Sequence, residues 1–560
     1  MTQQTAIAFG DEAYQTAGPR LMGAHAASEA FLRAYLKHGG AETLLCYAAT
    51  RRQYEGFVER VRAVGGTLPC EWVSPLVPER LREWGTLYHP DPDIAVSAWL
   101  RRRFDPAAFS LVGVTHTTCS DSFLDLAGSW TTAPIEPWDA IICTSQAVLA
   151  TVTQVYDLHE HYLRSRLGAT RFVRPALPVI PLGVDLERIP SGERAQAFRR
   201  TQRAALGIRA DDVAFLFFGR LSYHAKAHPL PMFLALEAAA QRTTKRLHLI
   251  LAGWFANQAI QDAFLQGAQE FMPSVALVVV DGRRPDVREQ IWSAADVFTS
   301  LSDNIQETFG LTPVEAMAAR LPVVISDWNG YRDTVEHARQ GFLVPTTLPP
   351  PGCGEDIVAR FFAGADTYDR YIAHQSQCTA VDVAKCSEYY SALIENAELR
   401  REMGAAGRAR AENVYSWAKI IGEYQELWGE LAKIRAADGN PVQSRPPGEP
   451  WHPLRPDPLT LFSAYATQHL TDDVRVQLTC APSAAEITRL YRHALTNFAG
   501  LPFVLLPPDE GLALVQELTR GPRSVAEIKS QFPKFTPAAV RTVGWLMKCG
   551  IVCILPERTV

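Results

Sequence analysis

Two successive series of short apolar runs, each alternating with amphipathic helix-like stretches, constrain this chain more than any other feature. The second series is the plainer one: VAFLFFGR (213–220), LHLILAGW (247–254), VALVVVDG (275–282), VFTSLS (297–302) and LPVVISD (321–327), with GFLVP (341–345) closing it. These runs are almost continuously apolar, as strands are when both faces of their sheet are covered. The first series reads TLLCYA (43–48), GTLYHP (85–90), SLVGVTH (110–116), AIICTS (140–145) and LPVIPLGV (177–184), separated by patterns such as SEAFLRAYLKHG (28–39). Strands alternating with helices make βαβ units and a parallel sheet. The expectation is an α/β chain of two doubly wound domains in tandem, 1–185 and 186–411, joined near Gly183–Arg188.

A long helical region follows at about 383–435, and its end, about 412–435, is expected to pack back on the first domain. Residues 436–459 include GNPVQSRPPGEPWHPLRPDP, dense in Pro and Gly, and read as a linker. The remaining stretch, 460–560, has another character. GLALVQELTRG, SVAEIKSQF and TPAAVRTVGWLMKCG read as three short helices before a strand, IVCIL, a spacing that suits a winged-helix-like unit. From 520 to 560 there are seven Lys/Arg against two Asp/Glu, a net of +5. A DNA reader would carry a basic recognition helix. Here the third helix offers only Arg541 and Lys548, so docking or a lid is expected rather than nucleic-acid binding.

Composition closes several classes. With 47% hydrophobic and 21% charged residues among 560, a disordered chain is excluded. The net charge of −5 supplies no global field for nucleic acid or an anionic bilayer. No apolar run approaches the roughly 18 residues of a membrane span. MTQQTAIAFGDEAY has neither a basic n-region nor an apolar h-region, so no signal peptide is expected. The ten cysteines form no CxxC pair. That points to a reducing compartment, free thiols, and neither structural zinc nor disulfides.

The chemistry concentrates in SLSDNIQETFGLTPVEAMAARLPVVISDWNGYRDTV (300–335). Thr312-Pro313-Val314-Glu315 reads as a helix start, with Thr312 as N-cap, Pro313 first in the helix and Glu315 completing a capping box. The loop Glu307–Leu311 then faces a helix N-terminus, where free N–H groups and the dipole favour a phosphate. Gly310 admits close approach to the backbone. Taken alone, Glu315 is a cap and Glu307 a solvated carboxylate. In FFGRLSYHAKAHPL (217–230) a buried strand ends at Gly219-Arg220, with Lys226 six residues on. Ligands of open α/β sheets bind beyond the carboxyl ends of strands. Arg and Lys there would match a diphosphate.

In order and spacing these segments resemble the retaining GT-B glycosyltransferases of the GT4 family, the glycosyl transferases group 1. The resemblance runs through Gly219-Arg220-Leu221 and Lys226, Ala252-Gly253, Ala294-Ala295-Asp296-Val297, Glu307-Thr308-Phe309-Gly310-Leu311, Glu315-Ala316-Met317-Ala318, Leu321-Pro322-Val323-Val324 and Ser326-Asp327. VTHTT (114–118), AIICTSQAV (140–148), VIPLGVD (179–185) and the helical segment 381–428 also look familial. It covers about 20–430 and not the tail.

The resemblance implies a GT-B fold of two Rossmann-like domains facing a cleft, and transfer of a sugar from a UDP- or GDP-sugar-like donor. Arg220 and Lys226 would neutralise the diphosphate. Glu307 would lie at the sugar hydroxyls, and the backbone of Phe309, Gly310 and Leu311 would hold the distal phosphate. Glu315 would take the ribose hydroxyls, and His116 would face the sugar across the cleft. Gly253 belongs to the donor-side pattern, and Arg283, with Arg284, follows the strand whose loop meets the base. Gly23, in PRLMGAHAASEAF (19–31), takes the place of the family's N-terminal glycine-rich loop, with one glycine where family members often have more; His25 shares that loop.

Preorganised cations and a helix N-terminus stabilise a departing diphosphate without a metal. Retention follows from same-face attack. Asp91-Pro92-Asp93, a formal Asp-x-Asp, reads as an ordinary turn. Cleft closure would hinge near 183 and near 410–415 and exclude water. The setting implied is cytoplasmic, at most peripheral at the inner membrane, with bacterial surface polysaccharide or glycoconjugate synthesis as its common context. Two rivals stand beside this reading: a GT-B phosphorylase or sugar-nucleotide epimerase, and a non-catalytic nucleotide-sugar-binding scaffold acting through its tail. Sugar, base, acceptor (glycan, lipid-linked or protein) and oligomeric state are not written in the sequence.

Overall fold

The computed structural model describes residues 4–10, 23–437, 449–498 and 504–555. The chain divides into two compact units, 1–451 and 452–560.

The larger unit holds two six-stranded sheets, parallel throughout. The first contains β1 (Ala6–Ala8), β2 (Leu44–Tyr47), β3 (Cys70–Val73), β4 (Thr86–Tyr88), β5 (Ser110–Val114) and β6 (Ala140–Ile142), in the order β3-β2-β1-β4-β5-β6. The second contains β7 (Val213–Leu221), β8 (Leu247–Phe255), β9 (Ala276–Asp281), β10 (Val297–Ser300), β11 (Val323–Ser326) and β12 (Gly341–Val344), in the order β12-β11-β10-β7-β8-β9. Both are the doubly wound order, in which the winding reverses between the first and fourth strands of the sheet. The two crevices therefore open at β1/β4 and β7/β10.

Side-chain alternation explains the apolar runs. Along β7, Val213, Phe215 and Phe217 enter one core while Ala214 and Leu216 enter another on the opposite face. In the first sheet Val112 and Val114 face one core and Leu111 the other. Two strands had no sequence signal. β1 is only AIA, and β3 is an edge strand whose Cys70, Glu71 and Trp72 are only partly buried. Conversely, 177–184 forms no strand. It makes isolated bridges, Val179 to Cys143 and Val184 to Ser416, because Pro178 and Pro181 lack the N–H a ladder needs.

The helix Trp417–Ala437 lies on the first sheet, burying Ile420, Ile421, Tyr424, Trp428 and Leu431 against the core that holds Phe31 and Tyr35. The chain thus crosses between sheets twice, and the crossings touch. The Val184 N–H donates to the Tyr415 carbonyl at 2.7 Å. Gly183 lies against the Trp417 ring so closely that a Cβ there would sit 2.4 Å from Cδ2. A buried ion pair ties the first sheet to its helices: Arg101 grips Asp139 through both Nη atoms, at 2.6 and 2.7 Å.

After β12 the sequence inserts an excursion that the apolar pattern did not announce. Strands β13 (Thr346–Thr347) and β14 (Ala380–Val381) pair antiparallel at its base, with helices Glu355–Phe362 and Tyr368–Gln377 between them.

The smaller unit has a three-stranded antiparallel sheet, β15 (Arg475–Leu478), β16 (Arg523–Ser524) and β17 (Val552–Ile554), in the order β16-β15-β17. Helices Ala484–Arg492, Pro508–Thr519, Val525–Gln531 and Thr536–Lys548 pack on it. Val476, Leu514, Leu518, Ile528, Val543 and Leu546 form its own core. Arg541 Nε donates to the Val504 carbonyl. No helix among the described residues is long and apolar enough to cross a membrane.

Candidate active site

The crevice between β7 and β10 gathers the charged residues singled out above. Gly219 and Arg220 are among the last residues of β7, which runs one residue beyond the expected end, to Leu221. Arg220 is half-buried, and its Nη2 donates to the Ala225 carbonyl (3.1 Å) and to Gln306 Oε1 (2.8 Å). Gly219 pairs in register with Gly253 on β8.

Lys226 and Glu307 are partners of one another. The Lys226 ammonium contacts Glu307 Oε2 directly, with side chains 25% and 12% exposed. Burial pushes the Glu307 carboxyl up, but the Lys226 charge and the Thr308 and Phe309 amides outweigh it and hold the group below its ordinary value. Burial pulls Lys226 down, and Glu307 more than restores it. Both are charged at neutral pH. The sequence suggested each residue and not the pair.

The helix behind this loop begins differently from expectation. It spans Leu311–Ala318 with Gly310 as N-cap and no side-chain cap. Thr312 is its second residue and Pro313 its third, so the capping box from Thr312 to Glu315 does not exist. Gly310 sits at φ 93°, and Tyr331 packs where a Cβ would stand, 2.2 Å away. Only glycine suits a cap both left-handed and pressed on a ring. Replacing Gly310 with Ala should destabilise the larger unit by about 1–3 kcal/mol and weaken anion binding at this loop, read by urea midpoint and nucleotide titration. An unchanged midpoint would mean that the ring yields freely.

Glu315 is half-buried, and its carboxylate makes no hydrogen bond among the described residues. Burial raises it to about 7, with Arg288 and Lys226 pulling the other way. Phe309 is buried, its ring edge-on to Tyr415. Arg283 and Arg284 do not join the cluster: each is clamped to a neighbouring carboxylate, Asp281 and Asp286, at the surface. Arg288, with Nε on the Gly282 carbonyl, was the basic residue the sequence did not single out.

The first sheet meets this cluster directly. His116, just past β5, donates from Nε2 to the Pro90 carbonyl (2.7 Å), and its own carbonyl accepts from Thr308 Oγ1 (2.7 Å). Ser145 Oγ donates to the Thr308 carbonyl (2.7 Å), and the Gln146 N–H donates to Asp333 Oδ2 (2.6 Å). His116 is therefore one backbone contact away from the residue after Glu307. Thr308, Ser145 and Asp333 fell inside the segments singled out in the sequence but were given no role, because only the approach of two sheets gives them partners.

Asp91, in the β4 crevice, accepts the Asp93 N–H at 2.8 Å in a local turn. The described residues contain no group of three or more His, Cys, Asp or Glu that could hold a metal. Gly23 is the first residue of the helix Gly23–His38, which also contains His25, so the described part of 19–31 is helix rather than loop; residues 19–22 lie outside the described residues.

Comparison with known proteins bears on this geometry. The glycosyl transferases group 1 model matches residues 198–350, which carry Arg220, Lys226, Glu307 and Glu315. Among curated proteins, the D-inositol 3-phosphate glycosyltransferase of Nocardia farcinica is 30% identical over 173 residues, 30% of this chain and 37% of that protein. The protein of the same name from Saccharomonospora viridis is 31% identical over 258 residues, 44% of this chain and 55% of that one. The chain thus spans about half the length of the curated relatives it matches. Among solved structures, Anabaena Alr3699/HepE in complex with UDP is 18% identical and covers 76% of this chain and 100% of its own, with a TM-score of 0.50. The likeness is one of fold, and the two-sheet unit is a GT-B fold.

Proposed function

We propose that this chain is a retaining glycosyltransferase that moves a sugar from a nucleotide-diphosphate sugar to an acceptor and needs no metal to do so. The observation that carries the reading is the convergence of Arg220, Lys226 and Glu307 in the β7/β10 crevice, before the start of the Leu311 helix, which has no side-chain cap. The group 1 match over these residues supports it. So does the UDP held by a protein of the same fold.

In this reading Arg220 and Lys226 take the charge that grows on the leaving diphosphate. The backbone of Phe309, Gly310 and Leu311 meets its distal phosphate, where the helix dipole favours an anion. Glu307, ionised, accepts hydroxyls of the transferred sugar. Glu315 accepts those of the ribose, a role open to it because it caps nothing. His116 approaches the sugar from the facing sheet. Attack on the same face as departure gives retention, with the leaving phosphate taking the acceptor's proton. The family match lies on the donor side, so it speaks for the nucleotide sugar and not for the acceptor.

The test is a thermal-shift panel of UDP, GDP, ADP and CMP with and without EDTA. A ligand at about 100 times its Kd adds roughly 2.7 kcal/mol. One nucleoside diphosphate should raise the midpoint equally in EDTA. A shift abolished by EDTA would overturn the metal-free claim, and no shift with any nucleotide would overturn the donor site.

A further inference from the structure

A chain of hydrogen bonds runs out of the donor crevice and across to the facing sheet, through a residue of the insertion. Arg220 Nη2 donates to Gln306 Oε1 (2.8 Å), and Gln306 Nε2 donates to the Tyr368 hydroxyl (3.1 Å). The Tyr368 hydroxyl lies 3.1 Å from Cys119 Sγ, in the loop after β5. The Gln306 amide donates from Nε2, so the Tyr368 oxygen accepts there, while either the Tyr368 hydroxyl or the Cys119 thiol can donate in the bond between them. The Thr117 hydroxyl lies 3.6 Å from the same sulfur. Around the chain a small apolar cluster joins the same three segments: Cys119 from the first sheet, Ala225 from the loop carrying Lys226, and Ile372 from the insertion helix.

We infer that Tyr368 is a positioning residue: it pins the Cys119 loop of the first sheet to Gln306, and through Gln306 fixes the Arg220 guanidinium, so that Arg220 is held for a diphosphate only while the two sheets are closed on each other. This deepens the donor-site reading and rests on it. The two helices of the insertion lie outside the family match, which ends at residue 350. Among the described residues the other hydrogen bond of Arg220 is to the Ala225 carbonyl, so without Gln306 its fork is free to turn. Closure and cation placement become a single event.

The full chain carrying Tyr368→Phe keeps the ring and its packing and loses only the hydroxyl. Calorimetric titration with UDP, GDP and ADP should show the preferred nucleotide binding about 3- to 10-fold more weakly, the worth of a neutral hydrogen bond. Cys119→Ala should weaken binding in the same direction, and Cys119→Ser, which restores a partner, should recover it. The double variant Tyr368→Phe/Cys119→Ala should be no worse than the larger single effect, since both act through one bond. Additive losses, or unchanged affinity in Tyr368→Phe, would overturn the inference. Spin labels on the two sheets supply an independent reading: Tyr368→Phe should broaden the distance distribution toward open forms. If the unaltered protein binds none of the three nucleotides, the donor reading falls, and this distance measurement alone decides the pin, an unchanged distribution overturning it.

Discussion

Glu307→Gln should lower turnover roughly 100- to 1000-fold while leaving nucleoside diphosphate binding undiminished. The substitution keeps the side chain's shape and its place behind the Thr308 and Phe309 amides, so the fold should survive. What it removes is the charge paired with Lys226. In the free protein that ammonium is committed to Glu307. When a diphosphate arrives, the two anions compete for one cation. Neutralising Glu307 releases Lys226 to the phosphates, so affinity for UDP, GDP or ADP should hold or rise as kcat falls. In the proposed reaction the sugar's hydroxyls would lose their charged acceptor, and transition-state stabilisation would be lost there. Steady-state kinetics with calorimetry on the same preparation separates the two effects. Wild-type-like turnover from the folded variant would remove Glu307 from the reaction. Parallel loss of affinity and turnover would make it a donor-binding residue only.

The largest effect on stability is expected at Asp139. Its carboxylate accepts four bonds: both Arg101 Nη atoms, the Leu111 N–H and the Glu136 N–H, the last two at 2.8 Å. Neither side chain of the ion pair has any exposed surface. Asp139→Ala would strand a guanidinium with no water to replace the carboxylate, and would open two backbone amides. Removing one partner of a buried pair costs about 3–5 kcal/mol. The loss should appear as a lowered urea midpoint of the larger unit. Replacing Arg101 by Met together with Asp139 by Leu should recover much of it, because an apolar pair leaves no uncompensated charge. A shift under about 0.5 kcal/mol in Asp139→Ala would mean that the site relaxes to admit water.

How legible all this was depends on where the information resides. The second sheet could be read residue by residue because helices cover both faces of Phe215, Leu216 and Phe217, and burial on both sides writes itself as an unbroken apolar run. β3 escaped because an edge strand is half-wet and carries a mixed sequence, CEWV. The proline-rich stretch 177–184 looked like a strand because hydropathy does not register a missing N–H. In the site, Arg220, Lys226, Glu307 and Glu315 were found through their order and spacing. The start of their helix was misplaced because Ser/Thr-x-x-Glu spacing is only a statistical sign of a cap, whereas Gly310 caps by backbone conformation. Tyr368, Cys119 and Ser145 were out of reach for another reason. Their partners lie 249 residues away for the Cys119–Tyr368 contact and 163 for Ser145–Thr308, and no local pattern encodes such meetings.

The two crossings that meet at Val184 and Tyr415 also set the mechanics of the molecule. Because both covalent connections pass through one spot, sealed by Gly183 against Trp417, the lobes are joined as if by a single pin rather than by two separated straps. A pin permits rotation and resists sliding. Displacement then grows with distance from it, giving the far lips of the crevice the greatest leverage. A protease cut within the first crossing should leave the lobes tethered by the second, migrating as one particle until denaturant parts them.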